Sequence, residues 1–213
     1  MKNAFSICVG LYGLLFFAWC IGAGNPFFYF FYEALPGQSL YLLAKCFGFL
    51  AICSLLVQIA IGIASATRIL RESKVYHAVN ALLSVGFATL HVLSFLVGAS
   101  IRSDKPAWEV VIPQFTDYYH SMLGLGIVAF VLLLMMFALG ALLRRRLQQS
   151  SLVRLLHYAS PLVMIFATVH SFSIGSETRT VGYIVVFGCL ILAILTILVF
   201  GLLSRTRPIQ FSR

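Results

Sequence analysis

"HAVNALLSVGFATLH" (residues 77–91) and "HYASPLVMIFATVH" (157–170) each begin and end on a histidine and hold no charged residue between. Together they carry four of the chain's five histidines, and they close on nearly the same phrase, "FATLH" and "FATVH". At the helical rise, steps of 14 and 13 residues climb about 21 and about 20 Å, most of the way across a hydrocarbon core about 30 Å thick. Each stretch therefore reads as the body of a membrane-crossing helix.

The rest of the chain agrees. Of 213 residues, 61% are hydrophobic and 10% charged, too apolar for an ordinary water-soluble domain. Six stretches are long enough to cross a bilayer: about 4–24, 39–64, 75–100, 119–143, 152–174 and 181–204. The expected fold class is an all-α integral membrane protein, one six-helix bundle covering residues 1–213. The first stretch is span-length and lacks a small-x-small cleavage site, so it reads as the first span and not as a removable leader.

Charge gives the orientation. The net charge of +9 is not a nucleic-acid signature. Arg68, Arg71, Lys74, Arg144, Arg145, Arg146, Arg154, Arg205, Arg207 and Arg213 fall in alternate loops or at the C-terminus, the positive-inside pattern. Both termini are then cytoplasmic. The opposite side holds Arg102, Lys105 and Arg179 together with Glu33, Asp104, Glu109, Asp117 and Glu177. Its two longer connections, 25–38 and 101–119, mix aromatics with prolines, as headgroup-level anchors do. The basic inner loops suit lipid headgroups or an acidic soluble partner.

Spans three and five run in the same direction, from inside to outside. His77 follows Lys74 by three residues and His157 follows Arg154 by three, which puts both near the inner leaflet. His91 and His170 then share an outer level. Ionisable residues inside a span are costly and mark functional sites, although a single such histidine is commonly a hydrogen-bonded packing residue. Two facing imidazoles at each of two levels, with no carboxylate or thiolate beside them, suit zinc poorly, since zinc usually takes a third protein ligand. Haem iron needs only two axial ligands. Two b-type haems are the expected cofactors.

Rotation supports one helix better than the other. At 100° per residue His91 lies about 40° from His77, while His170 lies about 140° from His157 in a straight helix, so Pro161 between them is expected to bend or rewind the fifth span. Phe87 and Phe166 stand four residues before the outer histidines and share their faces, against a porphyrin or as plain packing. Gly86, Gly124 and Gly126 give close approach to a macrocycle or to a helix. His120, at the outer start of span four, has no partner at its depth and reads as an interfacial hydrogen bonder or an acceptor contact. Lys45 reaches the outer interface or an outer propionate, and Arg68 and Arg71 the same inside. Cys8, Cys20, Cys46, Cys53 and Cys189 lie within spans as small hydrophobes, with no C-x-x-C-H for a c-type haem.

Six spans, histidines 14 apart on the third and 13 apart on the fifth, and the run "RRRLQQSSLVRLLHYASPLVMIFATVH" together resemble the ferric reductase-like transmembrane domain shared by ferric-chelate reductases and NADPH oxidases. The resemblance covers about span two to span six. It implies inner-haem ligands at His77 and His157 and outer-haem ligands at His91 and His170. Many members continue into FAD- and NADPH-binding domains. This sequence carries no such domain after its sixth span, so the electron donor is expected to be a cytoplasmic flavoprotein or another redox partner subunit. Phe95 stands one turn after His91, where the family's oxidases carry a histidine for oxygen chemistry, which puts superoxide production in doubt.

The expected activity is one-electron transfer from that partner to an extracytoplasmic acceptor, in the lipid of a bacterial inner membrane. A different class, a haem-bearing anchor or quinone-handling subunit of a larger redox complex, would draw on Gln58 or Asn80 as intramembrane amides. A haem-free transporter or structural protein, its histidines merely packed, is the third.

Overall fold

The apolar stretches fold as long α-helices, and no strand occurs among the described residues. The structure, a computed structural model, describes residues 2–22, 35–67, 73–143 and 151–206. In chain order the helices are α1 (Lys2–Gly22), α2 (Gln38–Ala66), α3 (Ser73–Ser103), the short α4 (Ala107–Val111), α5 (Tyr118–Leu143), α6 (Ser151–Ile174) and α7 (Val181–Thr206), with a 3-10 turn over Ser176–Arg179. Four contain runs long and apolar enough to cross a membrane: Gln38–Ser65, Lys74–Ser103, Tyr118–Ala141 and Val181–Leu203. Shorter apolar runs lie in α1 (Gly10–Gly22) and α6 (Ser160–Ile174). This is the make-up of an α-helical membrane protein. Arg68, Arg71, Arg144, Arg145, Arg146, Arg207, Arg213 and the connection 23–34 with Glu33 lie outside the described residues, as do the side chains of Cys8, Arg154, His157, Glu177 and Arg205.

Local chemistry sets the ends. Gly37, at φ 74°, precedes α2 in the left-handed region that an L side chain resists. A Cβ there would also sit 2.5 Å from the Gly98 carbonyl oxygen, so the start of α2 is seated directly on α3. Asp104 (φ 53°) and Pro106 then end α3. Asp117 starts α5 by accepting the His120 backbone N–H at 2.9 Å. Pro161 sits inside α6 without dividing it.

The bundle is organised around α2, which packs against α1, α3, α6 and α7. In its membrane-length window 44% of residues are buried, against 11, 11 and 6% for α3, α5 and α7, so α2 is the central helix and the others turn broad apolar faces outward. Tyr12, Leu15 and Trp19 of α1, Leu42, Cys46, Phe49 and Cys53 of α2, and Tyr183 of α7 form the core cluster. The cysteines Cys20, Cys46, Cys53 and Cys189 are free.

A polar string runs through this core. Fully buried Asn80 of α3 donates to the Ser54 carbonyl (3.0 Å) and to Gln58 Oε1 (2.6 Å), while the Tyr12 hydroxyl donates to Asn80 Oδ1. Both amide hydrogens and the amide oxygen are thus engaged, and three helices are tied at one point where no water substitutes for a lost bond. Asn80→Ala is expected to lower stability by about 1–3 kcal/mol by stranding buried donors and acceptors. Thermal unfolding in detergent checks this against Leu82→Ala, on the exposed face of the same helix, which should cost less than about 0.5 kcal/mol.

Candidate functional site

His91 of α3 and His170 of α6, expected at the outer level, come together. Their ring centroids lie 6.2 Å apart with planes at 73°. The helices that carry them are not a packed pair: α3 leans chiefly on α2, and α6 on α5. The two imidazoles therefore meet across a gap between helix pairs.

Each ring is held the same way. His91 Nδ1–H donates to the Ala44 carbonyl of α2 at 2.7 Å, and His170 Nδ1–H donates to the Met122 carbonyl of α5 at 2.9 Å. A carbonyl only accepts, so both rings carry hydrogen on Nδ1, and in the neutral form the lone pair is on Nε2. Nδ1 and Nε2 of a five-membered ring face nearly opposite ways, so a ring anchored on a flanking helix turns Nε2 away from it. This tautomer, with Nδ1–H on a backbone carbonyl, is the usual state of a metal-ligating histidine.

Four residues beyond each anchoring carbonyl stands a glycine. A helical carbonyl at position i already accepts the N–H of i+4, and only its second lone pair remains for a side chain. A Cβ at Gly48 would lie 2.9 Å from His91 Nδ1, and one at Gly126 would lie 2.5 Å from His170 Nδ1. Both glycines clear the space through which an imidazole reaches the carbonyl. Gly126 was among the sequence candidates, but Gly48 and the Ala44 and Met122 carbonyls were not. The repeated i, i+4 pattern of carbonyl and glycine becomes a signal only once each helix's neighbour is known. Gly124 instead faces the Phe115 ring, and Gly86 meets nothing within 4 Å.

The separation has a chemical meaning. An imidazole nitrogen sits about 2 Å from a bound metal, and its ring centroid lies about 1.2 Å further back. Two rings in line on one metal ion therefore have centroids about 6.4 Å apart, close to the distance found. Among the described residues no three His, Cys, Asp or Glu side chains converge. An ion that needs a full protein shell has no site there, whereas a macrocycle bringing four ligands of its own needs only two.

At the inner level His77 lies against Gln58, whose Nε2 is 2.9 Å from Nδ1, 3.1 Å from ring Nε2 and 3.2 Å from the His77 carbonyl oxygen. This joins His77 to the Asn80–Tyr12 string. His157, its expected partner, lies outside the residues whose side chains are described. Phe87 packs edge-on against Tyr12, centroids 5.1 Å apart, at the border of the core cluster. Phe166 is half-buried on α6. Lys45 Nζ donates to Ser176 Oγ at 2.6 Å and lies 5.2 Å from the Tyr41 ring centroid, while Arg68 and Arg71 lie outside the described residues.

At the start of the Tyr118–Ala141 run, His120 Nδ1–H donates to Asp117 Oδ2 at 2.5 Å. The His120 backbone N–H, then the ring, hold the Asp117 carboxyl below the usual carboxylate range, so it stays ionised at neutral pH.

Gly126→Ala should displace the His170 ring and cost about 1–3 kcal/mol through overpacking. Gly86→Ala, which meets open space, should be neutral or stabilise α3 by up to about 1 kcal/mol. Unfolding midpoints of the two variants in one detergent give the comparison. Set against known proteins, the chain matches no family model, no curated protein and no solved structure, and the site is read from its own geometry.

Proposed function

We propose that this chain is a membrane electron relay of b-type cytochrome character, ferric reductase-like, with six spans, both termini cytoplasmic and a place in the bacterial inner membrane. The observation that carries this reading is the outer pair: His91 and His170 on helices that do not pack together, each fixed in the Nδ1–H tautomer, with a centroid separation of 6.2 Å.

In this reading His91 and His170 hold an outer haem, and His77 and His157 an inner one. Bound haem supplies reversible one-electron redox chemistry at iron. The chain's own residues do the rest. The Ala44 and Met122 carbonyls orient the outer imidazoles and raise their basicity as ligands. Gln58, tied to Asn80 and through it to Tyr12, orients His77. His91 and His170 would hold the outer haem between them, and it would supply one-electron transfer to an acceptor that does not itself bind the metal. The donor is a cytoplasmic flavoprotein or redox subunit, and the acceptor is extracytoplasmic. Surrounding lipid is the remaining partner.

A quinone-handling subunit built on Gln58 and Asn80 has less support. Asn80 is fully buried with its hydrogen-bonding groups engaged, and Gln58 is turned to His77 and Asn80.

A pyridine haemochrome assay on purified protein tests the reading: two haems b per chain are expected, falling to one in His91→Ala and to one in His77→Ala, with the Soret band reduced by about half in each. Purified protein without haem, or full haem content in both variants, overturns it.

A further inference from the structure

One turn above His91, on the outer side, α2, α3, α4 and α5 enclose a cavity of about 380 Å³, within the range of small-molecule sites. One end is apolar, formed by Phe95 and Ile127 with Leu123, and Phe95 packs on Tyr41 with centroids 6.2 Å apart. The other end is polar. Arg102 lies over the Tyr41 ring and donates to Gln38 Oε1 at 2.7 Å, and Lys105, Glu109 and His120 complete the rim.

Charge decides what suits this space. Arg102 and Lys105 are matched by Glu109 and by Asp117 behind His120, two positive charges against two negative. A rim that sums to zero does not concentrate a multiply charged anion. An uncharged ring with apolar body and carbonyl oxygens matches the aromatic end, the donors and the interfacial depth together. His120 is the group able to exchange protons there: Asp117 takes Nδ1–H, which leaves ring Nε2 for exchange, and a side chain 44% exposed is open to outer water. The other titratable or charged groups around it are Tyr119 on its own helix, Tyr41 of α2, Arg102 of α3, Lys105 in the turn after it, and Glu109 of α4.

We propose that this cavity binds a quinone and that His120 delivers protons to it, making the relay's acceptor one that takes protons together with electrons. The electrons rest on the relay reading: they originate in the reduced flavin of the cytoplasmic partner and arrive singly at the outer histidine level. The step balances as one quinone, two electrons and two protons giving one quinol. Each carbonyl oxygen gains an O–H bond as its C=O double bond becomes single. His120 takes a proton from outer water onto Nε2 and passes it to a quinone oxygen, once for each of the two protons, while Nδ1–H stays on Asp117 and Asp117 remains ionised.

Two measurements on the 213-residue chain separate the parts. Haem-loaded protein is reduced with dithionite, freed of excess reductant and mixed in a stopped-flow cell with a short-tailed benzoquinone, the reoxidation being followed at the Soret band. His120→Gln is expected to slow it about 100-fold or more, and to leave oxidation by ferrocenium, which takes no proton, within about 2-fold. An unchanged quinone rate in His120→Gln, or an equal loss with both oxidants, overturns the role of His120. Binding is read without haem, by quenching of Trp108 on α4 in a Trp19→Phe background as the benzoquinone is titrated. Saturable quenching that weakens at least 10-fold in Arg102→Gln supports the site, and quenching that rises linearly without saturation overturns it. Saturable quenching in a chain that carries no haem sinks the relay and keeps the site, whereas linear quenching in a chain that carries haem does the reverse.

Discussion

A peptide carbonyl inside a membrane helix keeps one lone pair after its i, i+4 bond is made, and this fold uses that lone pair at Ala44 and again at Met122. Everything at the outer level depends on those two bonds. Lipid offers no water to replace them, so an imidazole placed there must find a protein acceptor, and the glycine four residues on is what lets it approach. The same bond fixes the tautomer. Two rings on α3 and α6, anchored outward on α2 and α5, leave their Nε2 atoms for whatever occupies the gap. The anchors are backbone, which no change of side chain deletes directly, and the vulnerable positions are Gly48 and Gly126.

The inner level is built on different chemistry. His77 meets a side-chain amide, not a carbonyl on the helix backbone, and that amide belongs to a string through Asn80 to Tyr12. Gln58 Oε1 already accepts from Asn80, so the amide presents Nε2–H to the His77 ring as a donor, where the Ala44 carbonyl presents an acceptor to His91. The string also binds α1 to α2 and α3, and Phe87 packs edge-on against Tyr12 beside it. Phe87 thus takes part in the packing that fixes α3.

Much of this was legible from apolar length and spacing alone. The six helices fall within three residues of the expected limits at each end, because a stretch that must satisfy its own backbone in lipid has one local solution. The shared depth of His91 and His170 followed from the direction of alternate spans. Gly48 was not legible, nor was the outer cavity, since both depend on which helix lies beside which, and a sequence with apolar residues on every face of a helix carries little information on that. The central place of α2 was hidden for the same reason: its hydrophobicity does not exceed that of α5 or α7, yet it is the one buried on several sides. The bend expected at Pro161 concerns His157, whose side chain lies outside the described residues.

In the proposed relay, the outer end would gather two kinds of traffic without forcing them through one residue. Phe95 stands a single turn above His91 and forms the apolar end of the cavity against Tyr41, so in the proposed relay an electron leaves the histidine level across a short apolar layer that admits no ions. His120 enters from another helix, at the water-facing end, with its own carboxylate to hold it. An acceptor lying between the two would meet electrons on one side and protons on the other. Separating the routes would matter to that relay, because a proton path that reached His91 or His170 would protonate the Nε2 needed to bind a metal, and Phe95, Leu123 and Ile127 give the cavity its apolar end.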